Sequence, residues 1–132
     1  MDPITTAILA AITVGSLSGV TKVGEQMIKD AYGEIKELLK KKFGLKSKMI
    51  QAVHELEANP KSAARKEAVK EEVAAAKADQ DQELLQAAHA LIKSIKALPR
   101  GTQIIQTAIG DHNIQITGDR NTVDVNTTKS KR

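Results

Sequence analysis

Two adjacent stretches near the end of the chain carry the residue types best suited to contacts between molecules. Gly110-Asp111-His112-Asn113-Ile114-Gln115-Ile116-Thr117 is followed at once by Gly118-Asp119-Arg120-Asn121-Thr122-Val123-Asp124-Val125. Gly, Asp and Asn recur at matching places, and β-formers follow each Asn. The chemistry on offer is hydrogen bonding by carboxamides, not bond making. Read as strands, Ile114 and Ile116 share one face while Asn113, Gln115 and Thr117 share the other. In the second copy Val123 and Val125 share a face with Asn121. The apolar parity is thus swapped, and direct stacking would set Ile116 over Asp124. An arch turning near Gly118 instead points Ile114 and Ile116 at Val123 and Val125. Copies of the chain would then repeat at about 4.8 Å, with Asn113, Gln115 and Asn121 forming amide ladders. Gly110 and Gly118 supply turns that other residues resist, while Asp111, Asp119 and Arg120 flank the strands and restrain premature assembly. Two strands alone are marginal in water, so without a partner the tail is expected to be disordered. A hairpin docked on the rest of the chain is the alternative.

The remaining chemistry-bearing residues do not form a site. His54, His89 and His112 lie on three separate segments, without paired carboxylates at ligand spacing. The chain has no cysteine, which removes disulfides, zinc fingers and thiol nucleophiles. Gly15 and Gly19 fall within an apolar segment instead of following a strand, so they do not read as a phosphate loop. No serine can be placed with a histidine and an acid. An enzyme, a metal site and a bound cofactor are therefore not expected. The strongest basic cluster is Lys40, Lys41 and Lys42 with Lys46 and Lys48. It reads either as a solvated helix end or as a contact for anionic lipid headgroups, where each Lys adds about 1 kcal/mol. Aromatic residues that would stack on bases do not interleave with it, so nucleic acid is not an expected partner.

These features must be positioned by helices. Aromatics are 2% of 132 residues, so the core has to be built from Leu, Ile, Val and Ala. Net charge is +4. Residues 24–99 mix 14 basic with 12 acidic side chains, and residues 100–132 carry five basic and three acidic ones. Apolar residues at helical spacing predict helices over about 25–43, 47–58, 60–78 and 82–98. Gly44 stops the first of these, Ser47 and Asp81 are candidate caps, and Asn59-Pro60 opens the helix over 60–78. At Gly101 the helical period gives way to β-branched residues, Asn and Gln. The expected architecture is all-α: a small four- to five-helix bundle over 1–99 and a tail over 100–132.

The first helix is expected over about 3–23, with Asp2 as N-cap and Pro3 at the first helical position. No charge occurs from Pro3 to Thr21. Ile4, Ala7, Ile8, Leu9, Ala11, Ile12 and Leu17 make it apolar, and Ala7, Ala11, Gly15 and Gly19 form a smooth face at intervals of four. It fits a helix packed tightly inside a bundle. It also fits a segment able to enter a bilayer, because small-residue faces let helices approach closely in lipid. Residues 4–21 would span roughly 27 Å at 1.5 Å per residue, close to the hydrocarbon thickness of about 30 Å. Asp2 stands where a secretory signal would be positive, so no signal peptide is expected.

The doubled pattern, with Ile114-Gln115-Ile116 and Gly118 at its junction, resembles bacterial amyloid signalling motifs over 103–125. It is more loosely similar to RHIM motifs, whose apolar-Gln-apolar-Gly core lacks the residue placed here at Thr117. Met1-Asp2-Pro3 opening a small apolar helix is similar to fungal HeLo-type and HELL-type domains, to the bacterial Bell domain, and through them to the four-helix domain of the necroptosis pseudokinase. These resemblances imply a membrane-disrupting cell-death effector, cytoplasmic at rest and relocating to the inner face of the plasma membrane. A receptor carrying a matching motif would template the tail, and copies of the chain would join into a fibril. The first helix would then insert, with the Lys40–Lys48 cluster near anionic lipid. A helical adaptor that oligomerises through the tail without membrane activity is the second expectation.

Overall fold

The computed structural model describes residues 1–15 and 22–110. Leu17 and Gly19 of the expected first helix, and the repeat residues from Asn113 to Val125, lie outside the described residues. The chain forms α1 (Pro3–Gly15), α2 (Lys22–Phe43), α3 (Lys48–Ala58), α4 (Ala63–Ala75), a 3-10 turn (Ala78–Gln80), α5 (Gln82–Lys96) and α6 (Gly101–Gly110). Among the described residues there are six α-helices and no strand, so the fold is all-α with more helices than the four or five expected.

Local chemistry sets most of the boundaries. Asp2 caps α1 twice over: its carboxylate accepts the Thr5 N–H at 2.8 Å and the Thr5 hydroxyl at 2.7 Å. Gly44 ends α2 at φ 100°, a left-handed conformation natural to glycine. Ser47 accepts the Ile50 N–H at 3.2 Å and opens α3. Asp81 accepts the Leu84 N–H at 3.0 Å and opens α5.

Two expectations are corrected, and one is described only in part: α1 covers Pro3–Gly15 of the expected first helix, while 16–21 lie outside the described residues. The fourth helix does not open at Pro60. Ser62 offers the better cap, accepting the Arg65 N–H at 3.2 Å, and the helix starts at Ala63. It ends at Ala75, short of 78, with Lys77 in the left-handed region at φ 57°. Finally, helical structure does not stop at Gly101. Residues 101–110 form α6, which packs on α1 and α5, so the bundle continues past residue 99.

The core gathers around α1. Its largest contact is with α5, followed by α6 and α2, and it also meets α3, α4 and the 3-10 turn. Ile28, Ile35 and Leu39 of α2, Val53 and Leu56 of α3, and Leu84, Leu91 and Ile95 of α5 complete the apolar interior. Each such side chain contributes about 1.5–3 kcal/mol when removed from water.

Candidate functional site

α1 is hydrophobic on every side, and the fold treats it accordingly. All residues from Ala7 to Val14 are buried, as are Ile4 and Thr5. An ordinary surface helix hides one stripe; a helix apolar all round must be enclosed. Ala7, Ala10 and Ala11 keep α1 slender enough for neighbours to close over it. The two buried threonines are hydrogen-bonded. Thr5 binds Asp2, and the Thr13 hydroxyl donates to the Leu9 carbonyl at 2.8 Å. Gly15 is exposed, with open space where a Cβ would point. Thus Ile4, Ala7, Ile8, Leu9, Ala11 and Ile12, expected to share one function, are brought together at the centre of the bundle.

One wall of this enclosure is α6. Ile104, Ile105 and Ala108 are buried against the core, and Ile109 packs at its edge. Gly101 makes the approach possible: a Cβ there would overlap the Ile95 carbonyl oxygen and lie 2.7 Å from the Lys96 Cα. Just before it, Arg100 turns the chain at φ 63°. Gly110 is the last residue of α6, so the front of the 103–125 segment is helical in this structure.

The other walls are tied to each other by polar links. Glu57 of α3 accepts hydrogen bonds from the Tyr32 hydroxyl at 2.6 Å and the Lys36 ammonium at 2.9 Å, both from α2. The Lys36 ammonium also lies 5.5 Å from the centre of the Tyr32 ring. Burial, then the Glu57 carboxylate, push the Tyr32 phenol far above its ordinary value. Burial acts to raise the Glu57 carboxyl, but the bonds from Tyr32 and Lys36 outweigh it and hold the group below the usual range. At the far end of α2, Lys42 bridges Glu83 at 2.9 Å and Asp81 at 3.1 Å, joining α2 to the start of α5. The bonds to Glu83 and Asp81 raise the Lys42 pKa, and the Leu84 N–H leads the effects that lower Asp81. A cavity of about 310 Å³ reaches the end of α1 between Ile12, Gly15, Ile28 and Tyr32.

The basic cluster divides in two. Lys42 is engaged in the α2–α5 link, and Lys40 lies 3.5 Å from Glu37. Lys41, Lys46 and Lys48 are exposed around the α2–α3 turn. Sequence reasoning missed α6, the Tyr32–Lys36–Glu57 link and the exposure of Leu45. A signal for α6 was present: Gly101, Ile104, Ile105 and Ala108 follow the i, i+3, i+4, i+7 period of a helix. Among the described residues no group of His, Asp or Glu could hold a metal ion.

Among the described residues the fold defines an all-α class: a helical bundle around an uncharged central helix, with α6 packed on it. The chain belongs to the Het-E N-terminal domain family, whose match covers residues 1–132. That family is related to the HeLo- and HELL-like domains of cell-death effectors, which is the level at which the resemblance seen in the first residues holds. No curated protein and no solved structure matches the chain.

Proposed function

We propose that the protein is a cell-death effector in which α1 is held inside the bundle until the C-terminal segment is drawn into a cross-β assembly. The observation that carries this reading is that α6 both covers α1 and forms the front of the 103–125 motif. The doubled pattern itself starts at Gly110, but a cross-β core that takes in the whole 103–125 segment would require residues 103–110 to leave the helix on α1. Templating of the tail by a matching motif, on a receptor or on another copy, therefore competes with the α6–α1 contact. Loss of α6 uncovers part of the α1 surface, and the exposed apolar surface then seeks a membrane or another copy. The described α1 has 13 residues, about 20 Å of helix, against a hydrocarbon core of about 30 Å. Among the described residues no helix is long and apolar enough to cross a membrane. That favours keeping a second reading, in which the bundle is an adaptor and released α1 binds protein.

Leakage of dye from vesicles of mixed zwitterionic and anionic lipid tests the proposal on the full chain. Wild type is expected to leak dye only after seeding with fibres of a 101–126 peptide. Gly101→Ala, which forces α6 away from the Ile95 carbonyl, is expected to leak without seeds. Gly15→Glu fits the open space at that position, so the fold tolerates it, yet it places a charge at the end of α1 and should abolish leakage. Seeded fibres with no leakage would select the adaptor. Failure of the peptide to form fibres would sink both readings of the tail.

A further inference from the structure

The α2–α3 turn carries an apolar side chain in an unusual setting. The Ser47 N–H donates to the Gly44 carbonyl at 3.2 Å, which makes Gly44–Ser47 a hydrogen-bonded turn with Leu45 and Lys46 at its tip. The turn is braced on both sides: Gly44 takes the left-handed conformation that ends α2, and Ser47 caps α3. Leu45 is 69% exposed, the most exposed large apolar side chain among the described residues. A single exposed leucine is ordinary; its surroundings are not. No acidic residue occurs between Glu37 and Glu55 in the chain. Lys46 adjoins the leucine at the tip, Lys48 opens α3 just beyond it, and Lys41 lies near the end of α2 beside a groove it shares with Glu34 and Glu37; all three are exposed, while Asp81 and Glu83 are bound to Lys42. Met27, the large exposed apolar residue that lies within a helix among the described residues, sits instead among Gln26, Lys29 and Asp30.

We infer that this turn is a docking point for anionic bilayers, with Leu45 entering the headgroup–acyl boundary and Lys41, Lys46 and Lys48 resting among anionic headgroups. The inference deepens the membrane reading above and rests on it for its biological sense, but it concerns the closed bundle and needs no release of α1. A ring of lysines alone would suit any polyanion. A leucine held at the tip of a braced turn suits an interface that is charged outside and apolar beneath. Nucleic acid offers no such layer to an aliphatic side chain.

The chain has no tryptophan, so Leu45→Trp reports on the turn alone. With the unseeded full chain, its emission is expected to shift to shorter wavelength on vesicles of phosphatidylcholine with phosphatidylglycerol, and not on phosphatidylcholine alone. Replacing Lys41, Lys46 and Lys48 together by Gln should weaken vesicle partitioning about a hundredfold, at roughly fivefold per lysine. Leu45→Gln should weaken it about tenfold. Thermal melts should be unchanged, because all four positions are exposed. Partitioning that ignores these substitutions, or tight binding to duplex DNA with no spectral shift on vesicles, would overturn the inference. Seeded leakage that persisted in that case would leave the release of α1 standing, so the two proposals fail separately.

Discussion

α1 and α6 pack against each other and neither contains a charged residue, yet they are held in different ways. α1 is buried on nearly all sides, opens on a carboxylate cap and has its two buried threonine hydroxyls hydrogen-bonded. α6 is buried along one stripe only, with Thr102, Gln103, Gln106 and Thr107 facing out. Its first turn is closed by the Ile104 N–H on the Arg100 carbonyl at 2.9 Å, from a residue whose left-handed backbone costs about 1–2 kcal/mol. Its apolar residues are mostly isoleucine, stiff in a helix and well suited to a strand. The contrast is between a helix buried nearly all round and a helix that covers it with one face only.

The largest test of this difference compares two Ile→Ala substitutions. Ile8 is fully buried at the centre, whereas Ile104 is 8% exposed at the rim. Ile8→Ala is expected to cost about 3–5 kcal/mol, and Ile104→Ala about 2 kcal/mol, since water and neighbours can fill part of the rim vacancy. Urea denaturation measures the loss. Amide exchange separates the consequences: Ile104→Ala should speed exchange in α6 while α1 stays protected. Equal losses, with α1 and α6 opening together, would make the closing helix as firmly fixed as the one it covers.

How much of this was legible in the sequence follows from the same contrast. α1 announced its start in local chemistry, Asp2 then Pro3, but its uncharged run fitted burial in a bundle and entry into a bilayer alike, and burial is seen only in the structure. Gly44, Ser47 and Asp81 likewise act within one turn of the helix ends they set, so those boundaries could be read. The fourth helix shows the limit, because Pro60 and Ser62 both signal a start and only the hydrogen bond to Arg65 decides between them. α6 was misread because β-branched Ile104, Ile105 and Ile109 with Gln and Thr look like a strand unless their helical period is counted. What keeps α6 helical is tertiary: the surface of α1, and the close approach at Gly101. The division of the lysine cluster was equally out of reach, since Asp81 and Glu83 lie about forty positions from Lys42 along the chain.

An intermediate effect probes the walls that α6 does not form. Tyr32 is the chain's one tyrosine, so its ionisation can be followed alone at 295 nm. Its phenol titrates higher folded than unfolded, because burial and Glu57 disfavour the phenolate. Stability tied to it is therefore full below the unfolded value near 10 and declines as pH rises above that. Tyrosinate absorbance should appear together with loss of helical circular dichroism, not before it. Glu57 runs the opposite way: its depressed carboxyl contributes stability above the unfolded value near 4, lost as pH falls through the lower folded value. Tyr32→Phe should cost about 1 kcal/mol near neutral pH. Ionisation of Tyr32 in the intact fold near pH 10 would show that the link between α2 and α3 is loose.

The smallest expected effect bears most directly on α6 as a removable cover. Thr107 is exposed on the outer face of α6, so replacing it changes no core contact. Alanine at a helical position is favoured over threonine by about 0.5 kcal/mol, because threonine loses rotamer freedom against the preceding turn. Thr107→Ala should therefore stabilise α6 on α1 by about that amount, a change of two- to threefold in the population with α6 detached. The same substitution removes a β-branched residue from the segment that would become a strand, which lowers its cross-β preference as well. Both effects act in one direction, so seeded conversion of the full chain, followed by thioflavin fluorescence, should slow. The isolated 101–126 peptide, in which no α6–α1 contact exists, carries only the second effect. A larger slowing in the full chain than in the peptide is the signature of a cover that must lift first. Equal slowing in both would mean that the fibril competes with nothing in the bundle, and that α6 leaves α1 without resistance.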